Sequence, residues 1–265
     1  MEPFISVIIP TYNRAYCIEN AITSVLKQDY NNLEVIVVDD CSSDHTKEVV
    51  ASMEDSRIKY ICNCENVGAA ATRNIGIKFA QGELIAFQDS DDVWQEGKLK
   101  KQLEVMEQGN YGMVYGCFER SFMDGHKEIV PREAIQIEAK QGMIYPYLLA
   151  ESYIGMPTVL VRREVLEQIQ GFDENMKSYE DYDLALRIAK CCTVGFVNEV
   201  LVQANTFEDS IDMNMTRGII SSAYLLKKHE ADLKQWGLYE RKREVVYEAA
   251  QAYGIWAPIE KFLQK

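Results

Sequence analysis

Residues 82–94 read GELIAFQDSDDVW, in which the apolar run Leu84 to Phe87 leads directly into Asp89, Asp91 and Asp92. A short apolar run closed by turn-forming residues reads as a strand buried on both faces. Such strands belong to parallel sheets covered by helices. Toward the amino terminus the same signature recurs at Phe4 to Ile9, Leu33 to Val38 and Arg57 to Cys62, with helical periods between them at 14–28, 44–53 and 67–80. This β-α-β-α-β-α-β series predicts an α/β sheet with ligands at the carboxyl ends of its strands. Those ends read PTYNR (10–14), DDCSSD (39–44) and DSDD (89–92), so acidic groups gather on one edge.

Toward the carboxyl terminus the pattern weakens. It predicts a helix at 96–108, strands near Met113 to Phe118 and Thr158 to Val161, a helix after Glu180, and strands around Val194 to Val202. The second half is therefore mixed, with antiparallel pieces. From Thr216 onward the periods are helical, with breaks expected at Trp236-Gly237 and near Pro258, which reads as an appended hairpin.

Composition bounds the function. The 265 residues are 47% hydrophobic and 26% charged, ordinary globular material. A net charge of −13 repels phosphate backbones, so nucleic-acid binding is not expected. Seven cysteines without ladder-like spacing fit a reducing compartment, and Cys62 and Cys64 have no nearby histidine to complete a zinc set. The amino terminus carries no basic n-region, and the most apolar stretch, Gly142 to Val161, is interrupted by Pro146, Glu151 and Pro157. A cytoplasmic chain without a membrane span is expected. Residues 217–265 nevertheless hold nine Lys or Arg against six Asp or Glu, with Arg241-Lys242-Arg243 clustered. That basic face suits a solvated hairpin surface, a homodimer contact, or peripheral contact with anionic lipid headgroups or a lipid diphosphate.

Four constellations carry chemistry. Asp89 and Asp91, at i and i+2 on extended chain, point to one side and suit a hard cation such as Mg or Mn, although aspartate-rich turns look the same. Asp39 stands too early in DDCSSD to cap a helix, which favours contact with a base or ribose, while Ser43 or Asp44 suits the cap. Gly68 and the alanines after it permit close approach, and Arg73 at that helix start suits either a diphosphate or a solvated face. Glu180, Asp181 and Asp183 crowd a helix start that Ser178 and Asp181 would cap as a box.

Taken in order, SVIIPTYNR (6–14), VIVVDDCSSD (35–44), NVGAAATRNIG (66–76), GELIAFQDSDDVW (82–94), GFDE (171–174) and YEDYDLALRI (179–188) strongly resemble glycosyltransferase family 2, over about residues 4–205. The resemblance implies an inverting enzyme with a GT-A fold: a single Rossmann-like nucleotide-binding sheet, a mixed second half and a helical appendage. Its domains would be 1–205, catalytic, divided near residue 110 into nucleotide-sugar and acceptor halves, and 206–265, a helical extension. It further implies that Thr11, Tyr12, Asn13, Arg14, Asp39, Asp40, Gly68 and Arg73 hold the nucleotide together with Asp89 and Ser90. Asp91 would bind the metal, Mn or Mg, with Asp89 and Asp92. Asp181 would be the catalytic base, with Glu180 beside it. Trp94, Gly171, Phe172 and Asp173 would face the acceptor, a saccharide or lipid-linked saccharide. The donor would be a nucleoside-diphosphate sugar, with UDP the expected nucleoside.

Two departures stand out. The Q-x-x-R-W motif and membrane spans of processive relatives are absent, which favours single-sugar transfer. The histidine that many relatives carry after the last strand is replaced by the stretch Gln203-Ala204-Asn205-Thr206-Phe207. A receiver domain would need its acid pair after the first strand and a sugar nucleotidyltransferase a glycine-rich basic loop there; a nucleotide-sugar-binding protein without catalysis is the remaining alternative.

Overall fold

Four parallel strands, β1 (Ile5–Thr11), β2 (Leu33–Asp39), β3 (Ile58–Cys62) and β4 (Leu84–Phe87), form the amino-terminal half of one sheet in the order β3-β2-β1-β4. The computed structural model describes residues 2–122, 124–205 and 214–264. Every residue of β2 and β4 is buried, as the continuous apolar runs require, whereas edge strand β3 is half exposed. Alternation across the pleat separates two cores. Ile8, Ile36, Ile85 and Phe87 face one layer, while Val7, Ile9, Val35, Val37 and Ala86 face the other.

Helices α1 (Ile18–Leu26) and α2 (Thr46–Ala51) cover the second layer through Ile18, Ile22, Val25 and Val50. Helix α3 (Ala69–Phe79) covers the first, and it approaches β1 so closely that a Cβ on Gly76 would lie 2.4 Å from Ile8 Cγ2. Glycine at 76 is thus a packing requirement.

Beyond β4 the chain runs through β5 (Val93–Trp94), α4 (Lys98–Gln108), β6 (Met113–Ser121), β7 (Lys127–Val130), α5 (Tyr145–Ala150), β8 (Leu160–Arg162), α6 (Arg163–Gln168), α7 (Glu180–Cys191) and β9 (Val194–Asn205). The sheet continues β4-β8-β6-β9-β5, with β8 antiparallel to β4 and β6, β9 parallel to β6, and β7 paired with β6. The expected mixed half is present. Its last strand is longer than expected and extends to Asn205, beside the acids that follow β4.

The carboxyl-terminal segment forms α8 (Met215–Lys228), α9 (Glu230–Gln235), α10 (Tyr239–Ala252) and α11 (Trp256–Gln264). The break at Gly237 occurs as expected, with φ +68°. The second break lies at Gly254, also at φ +68°, rather than at Pro258, which occupies the first turn of α11 where its missing N–H costs nothing. These helices are fastened to the sheet domain. Asp183 on α7 accepts from Lys228 Nζ at 2.9 Å and lies 3.0 Å from His229 Nε2, while Asp232 accepts from Lys190 Nζ at 2.6 Å and Tyr145 Oη at 2.7 Å. Leu226 and Leu233 join the first core layer, and Ile219, Ala223, Val246, Ala250 and Ile259 form a small core of their own. Among the described residues no helix is long and apolar enough to cross a membrane.

Candidate active site

A cleft of about 1560 Å³ opens along the carboxyl ends of β1, β2 and β4 and is walled on the far side by α7, α8 and α10. At one end the β1 turn contributes Thr11, Tyr12, Asn13 and Arg14. Asn13 takes φ +53°, its N–H donates to Ser42 Oγ at 2.8 Å, and its side chain accepts from Ser43 N–H at 2.8 Å. The β1 and β2 turns thus brace each other. Thr11 Oγ1 is buried without a hydrogen-bond partner among the described residues, which leaves a hydroxyl at this end to meet a ligand.

The two acids after β2 serve the scaffold directly. Asp40, buried, accepts from Val67 N–H and Gly68 N–H at 2.8 Å each and from Asn63 Nδ2 at 2.9 Å, which fixes the loop before α3. Gly68 sits at φ +90° there, a conformation that disfavours side chains. Asp39 does not line the cleft. One of its oxygens accepts from Ser42 N–H at 2.8 Å and the other from Tyr60 Oη, so the residue expected to be too early for a cap does close the turn. The helix α2 is started by Asp44, whose Oδ1 accepts from Thr46 N–H at 3.0 Å.

At the centre, Arg73 projects from α3 between two acidic segments. Its Nη2 donates to Asp89 Oδ1 at 2.7 Å and its Nη1 to Glu180 Oε1 at 2.9 Å, with the guanidinium 5.5 Å from the centroid of Phe172. Burial opposes the charge of this guanidinium, but Asp89 and Glu180 outweigh it and hold the proton more firmly than usual. Its Nε has no partner among the described residues. Arg73 therefore joins the β4 acids to the start of α7.

The β4 turn packs three carboxylates together. Arg14 Nε approaches Asp91 Oδ2 at 3.9 Å. Asn205, in the stretch where a histidine was missed, donates its N–H to Asp92 Oδ1 and its Nδ2 to the Asp91 carbonyl, each at 3.1 Å. Thr206 and Phe207 lie outside the described residues. Burial, with the charges of Asp89 and Asp91, pushes the Asp92 carboxyl well above its ordinary value, against the Asn205 hydrogen bond. Such crowding suits a hard divalent cation, with Asp91 and Asp89 as its oxygen donors and a ligand supplying the rest of the shell. Among the described residues no three ligating side chains are poised together.

Helix α7 opens at Tyr179, in the left-handed region at φ +60°, with no side-chain cap, so the Ser178 capping box is not formed. Asp181 lines the cleft and accepts from its neighbour's N–H, Tyr182, at 2.7 Å.

The residues expected to face an acceptor are turned elsewhere. Trp94 is buried, donates Nε1 to the Pro157 carbonyl at 3.1 Å and carries Lys98 Nζ 3.8 Å above its ring. Its position in β5, paired with β9, points the indole into the core. Gly171 and Phe172 are buried; Asn74 clasps the Phe172 backbone through both N–H and carbonyl, and the ring supports Arg73. Asp173 anchors α8 by accepting from Lys228 at 2.6 Å. His229 and Arg120, to which sequence reasoning gave no role, line the cleft, and so do Arg241 and Lys242. His229 lies between α8 and α9 with no motif around it, and the basic pair was read as a solvated surface, a homodimer contact or a contact with anionic lipid headgroups or a lipid diphosphate. In the structure Arg241 and Lys242 face the cleft while Arg243 lies 5.9 Å over Trp256, so the three do not form one face.

Comparison with known proteins agrees with this arrangement. The model described as "Glycosyl transferase family 2" matches residues 6–170. The chain is 39% identical over 196 residues to the UDP-Glc:alpha-D-GlcNAc-diphosphoundecaprenol beta-1,3-glucosyltransferase WfgD of Escherichia coli, covering 73% of each. It is 33% identical over 232 residues to the putative teichuronic acid biosynthesis glycosyltransferase TuaG of Bacillus subtilis, covering 86% of this chain and 89% of that one. Among solved structures, S. aureus TarS 1-349 in complex with UDP-GlcNAc superposes with a TM-score of 0.69 at 23% identity, over 93% of this chain and 71% of that one. The mannosyltransferase PcManGT of Pyrobaculum calidifontis, in complex with GDP-Man and Mn2+, gives 0.70 at 20%, over 95% and 76%. At those identities the superpositions speak to the fold, which is GT-A. With a family model spanning most of the chain and relatives above 30% identity over more than two thirds of it, the chain belongs to glycosyl transferase family 2.

Proposed function

We propose that this glycosyltransferase moves one sugar from a UDP-linked donor to a hydroxyl of a saccharide or lipid-linked saccharide during cell-surface polysaccharide or glycoconjugate synthesis, inverting the anomeric centre. The observation that carries the reading is Arg73, which ties Asp89 after β4 to Glu180 on α7 and so brings a cation-binding edge and a candidate base into one cleft. The relatives' donors, UDP-Glc for WfgD and UDP-GlcNAc bound to TarS, support uridine as the nucleoside.

In this account the nucleotide lies over the β1 turn, where Thr11 offers a hydroxyl that has no partner among the described residues, with the diphosphate directed toward Asp89 and Asp91. A divalent cation, when bound, supplies positive charge against the departing diphosphate. Asp181 lines the cleft beside Glu180, whose Oε1 Arg73 holds, and is the carboxylate we assign to receive the acceptor's proton. As the acceptor oxygen bonds to the anomeric carbon, the bond to the diphosphate oxygen breaks and UDP leaves with that electron pair. A single displacement needs no covalent sugar intermediate. Seven cysteines, all free thiols, support a cytoplasmic site for the reaction.

A thermal-shift panel of UDP, GDP, CDP and dTDP, each with and without manganese, tests the donor. Ligand binding to the native state raises Tm by mass action. The reading expects the largest rise with UDP and dependence of that rise on manganese; equal shifts for all four, or none, would sink it.

A further inference from the structure

The cleft is larger than the roughly 300–1,000 Å³ that suits one small ligand. Its donor end is accounted for by the β1 and β4 turns. The opposite wall, formed by α10, presents Arg241, Lys242, Val245 and Ala249 along one helical stripe. Lys242 Nζ lies 5.7 Å from the ring centroid of Tyr182, the residue after Asp181, so the stripe begins beside the candidate base. Neither Arg241 nor Lys242 makes an ion pair among the described residues; Glu151, on the facing wall, is the carboxylate nearest in effect to Lys242. Burial, and then Arg241, lower the Lys242 ammonium below its ordinary range. Two neighbouring cations with no ion-pair partner among the described residues, inside a chain of net charge −13, form a place suited to an anion. Past them the stripe turns apolar, with Val245 61% exposed. At 1.5 Å per residue it runs about 10 Å from Lys242 to Ala249.

We propose that Arg241 and Lys242 seat the phosphates of the acceptor, and that the acceptor is accordingly a diphosphate-linked sugar whose lipid chain leaves along α10 past Val245. This rests on reading the cleft as a glycosyltransferase site. The order along the wall matches such a molecule: the reacting hydroxyl at Asp181, the diphosphate at the cations, the hydrocarbon on the apolar turns. Guanidinium and ammonium groups together suit phosphate oxygens through charge-assisted hydrogen bonds.

The test uses the full chain saturated with UDP and magnesium, so that the donor's diphosphate site is filled, and titrates farnesyl diphosphate by calorimetry against the parent and the double variant Arg241→Gln, Lys242→Gln. Since neither side chain makes an ion pair among the described residues, and Lys242 only a long ring contact with Tyr182, the variant should fold, and unchanged UDP affinity would show that it has. The expected result is measurable binding by the parent and binding weaker by at least about tenfold in the variant. Equal binding by both proteins, or no binding by the parent, overturns the subsite. Vesicles of phosphatidylglycerol form a second arm: loss of vesicle binding in the variant with farnesyl diphosphate binding unchanged would assign the pair to lipid headgroups and overturn the proposal. A parent that binds no UDP yet still loses farnesyl diphosphate on substitution would defeat the donor reading and leave this subsite standing.

Discussion

Arg73 and Glu180 meet at 2.9 Å across 107 residues of sequence, with side-chain exposures of only 8% and 12%. The contact spans from the first turns of α3 to the first residue of α7, and its second fork on Asp89 makes one guanidinium common to both halves of the cleft. Removing one partner of a buried pair strands the other charge, which costs on the order of 3–5 kcal/mol. Arg73→Gln should therefore lower Tm by about 6–15 °C. Adding Glu180→Gln should restore part of that loss, because the stranded carboxylate is gone. Strict additivity of the two substitutions in thermal melts would mean that the pair is uncoupled.

The α7 to α8 junction should be sensitive to acid. Burial pushes the Asp183 carboxyl up, but the hydrogen bond from His229 and the charges of Arg187 and Lys228 outweigh it and bring the group down to about 2. A carboxyl depressed in the folded state stabilises above its unfolded value near 3.9 and loses that contribution as pH falls toward 2. The contribution is about 2 kcal/mol. Urea melts of the parent between pH 5 and 2 should show this decline, and Asp183→Asn, already weakened at pH 5, should show a shallower one.

Lys98 is fully buried, donates to Gln102 Oε1 at 2.7 Å and lies over Trp94, with no carboxylate partner among the described residues. Burial holds its ammonium well below the ordinary range. The unfolded chain then binds the proton more readily, so stability rises with pH until the ordinary lysine range near 10.4 is passed. In Lys98→Met this component of the slope should vanish. Parallel stability curves for the two proteins from pH 7 to 10 would contradict the assignment.

Asp91 lies in the turn after β4, so Asp91→Ala should leave Tm within a few degrees of the parent while removing the manganese-dependent part of UDP affinity. Calorimetry with and without the metal separates the two contributions. Equal metal dependence in parent and variant would take Asp91 out of the cation site.

Much of the sheet was legible because β1, β2 and β4 are buried on both faces and announce themselves as apolar runs, those of β2 and β4 ending in acids. Side-chain direction in the turns was not. Trp94 follows the acids in sequence as an acceptor-facing residue would, yet pairing of β5 with β9 buries it. Asp39 carries the charge of a ligand contact but accepts from Ser42 and Tyr60 instead, whereas Asp40 both lines the cleft and fixes the loop at Gly68. Arg73 could be placed at a helix start, but its two partners lie 16 and 107 residues away, and only the folded chain sets them together. Arg241, Lys242 and Arg243 are adjacent in sequence and diverge in space, since successive helical residues are about 100° apart. The role of α8 and α10 as a cleft wall had no local signal at all.

The central claim is that Asp181 takes the acceptor's proton in a cleft whose donor end is built separately. Asp181→Asn keeps the shape of the side chain and its position in α7 while removing the base. Donor affinity by calorimetry and transfer rate by UDP release, both measured on this variant, test the claim most directly. The account predicts UDP-sugar affinity within about twofold of the parent and a transfer rate lower by about a hundredfold or more. Transfer at the parent's rate would contradict it and return Asp181 to the role of a helix-terminal acid.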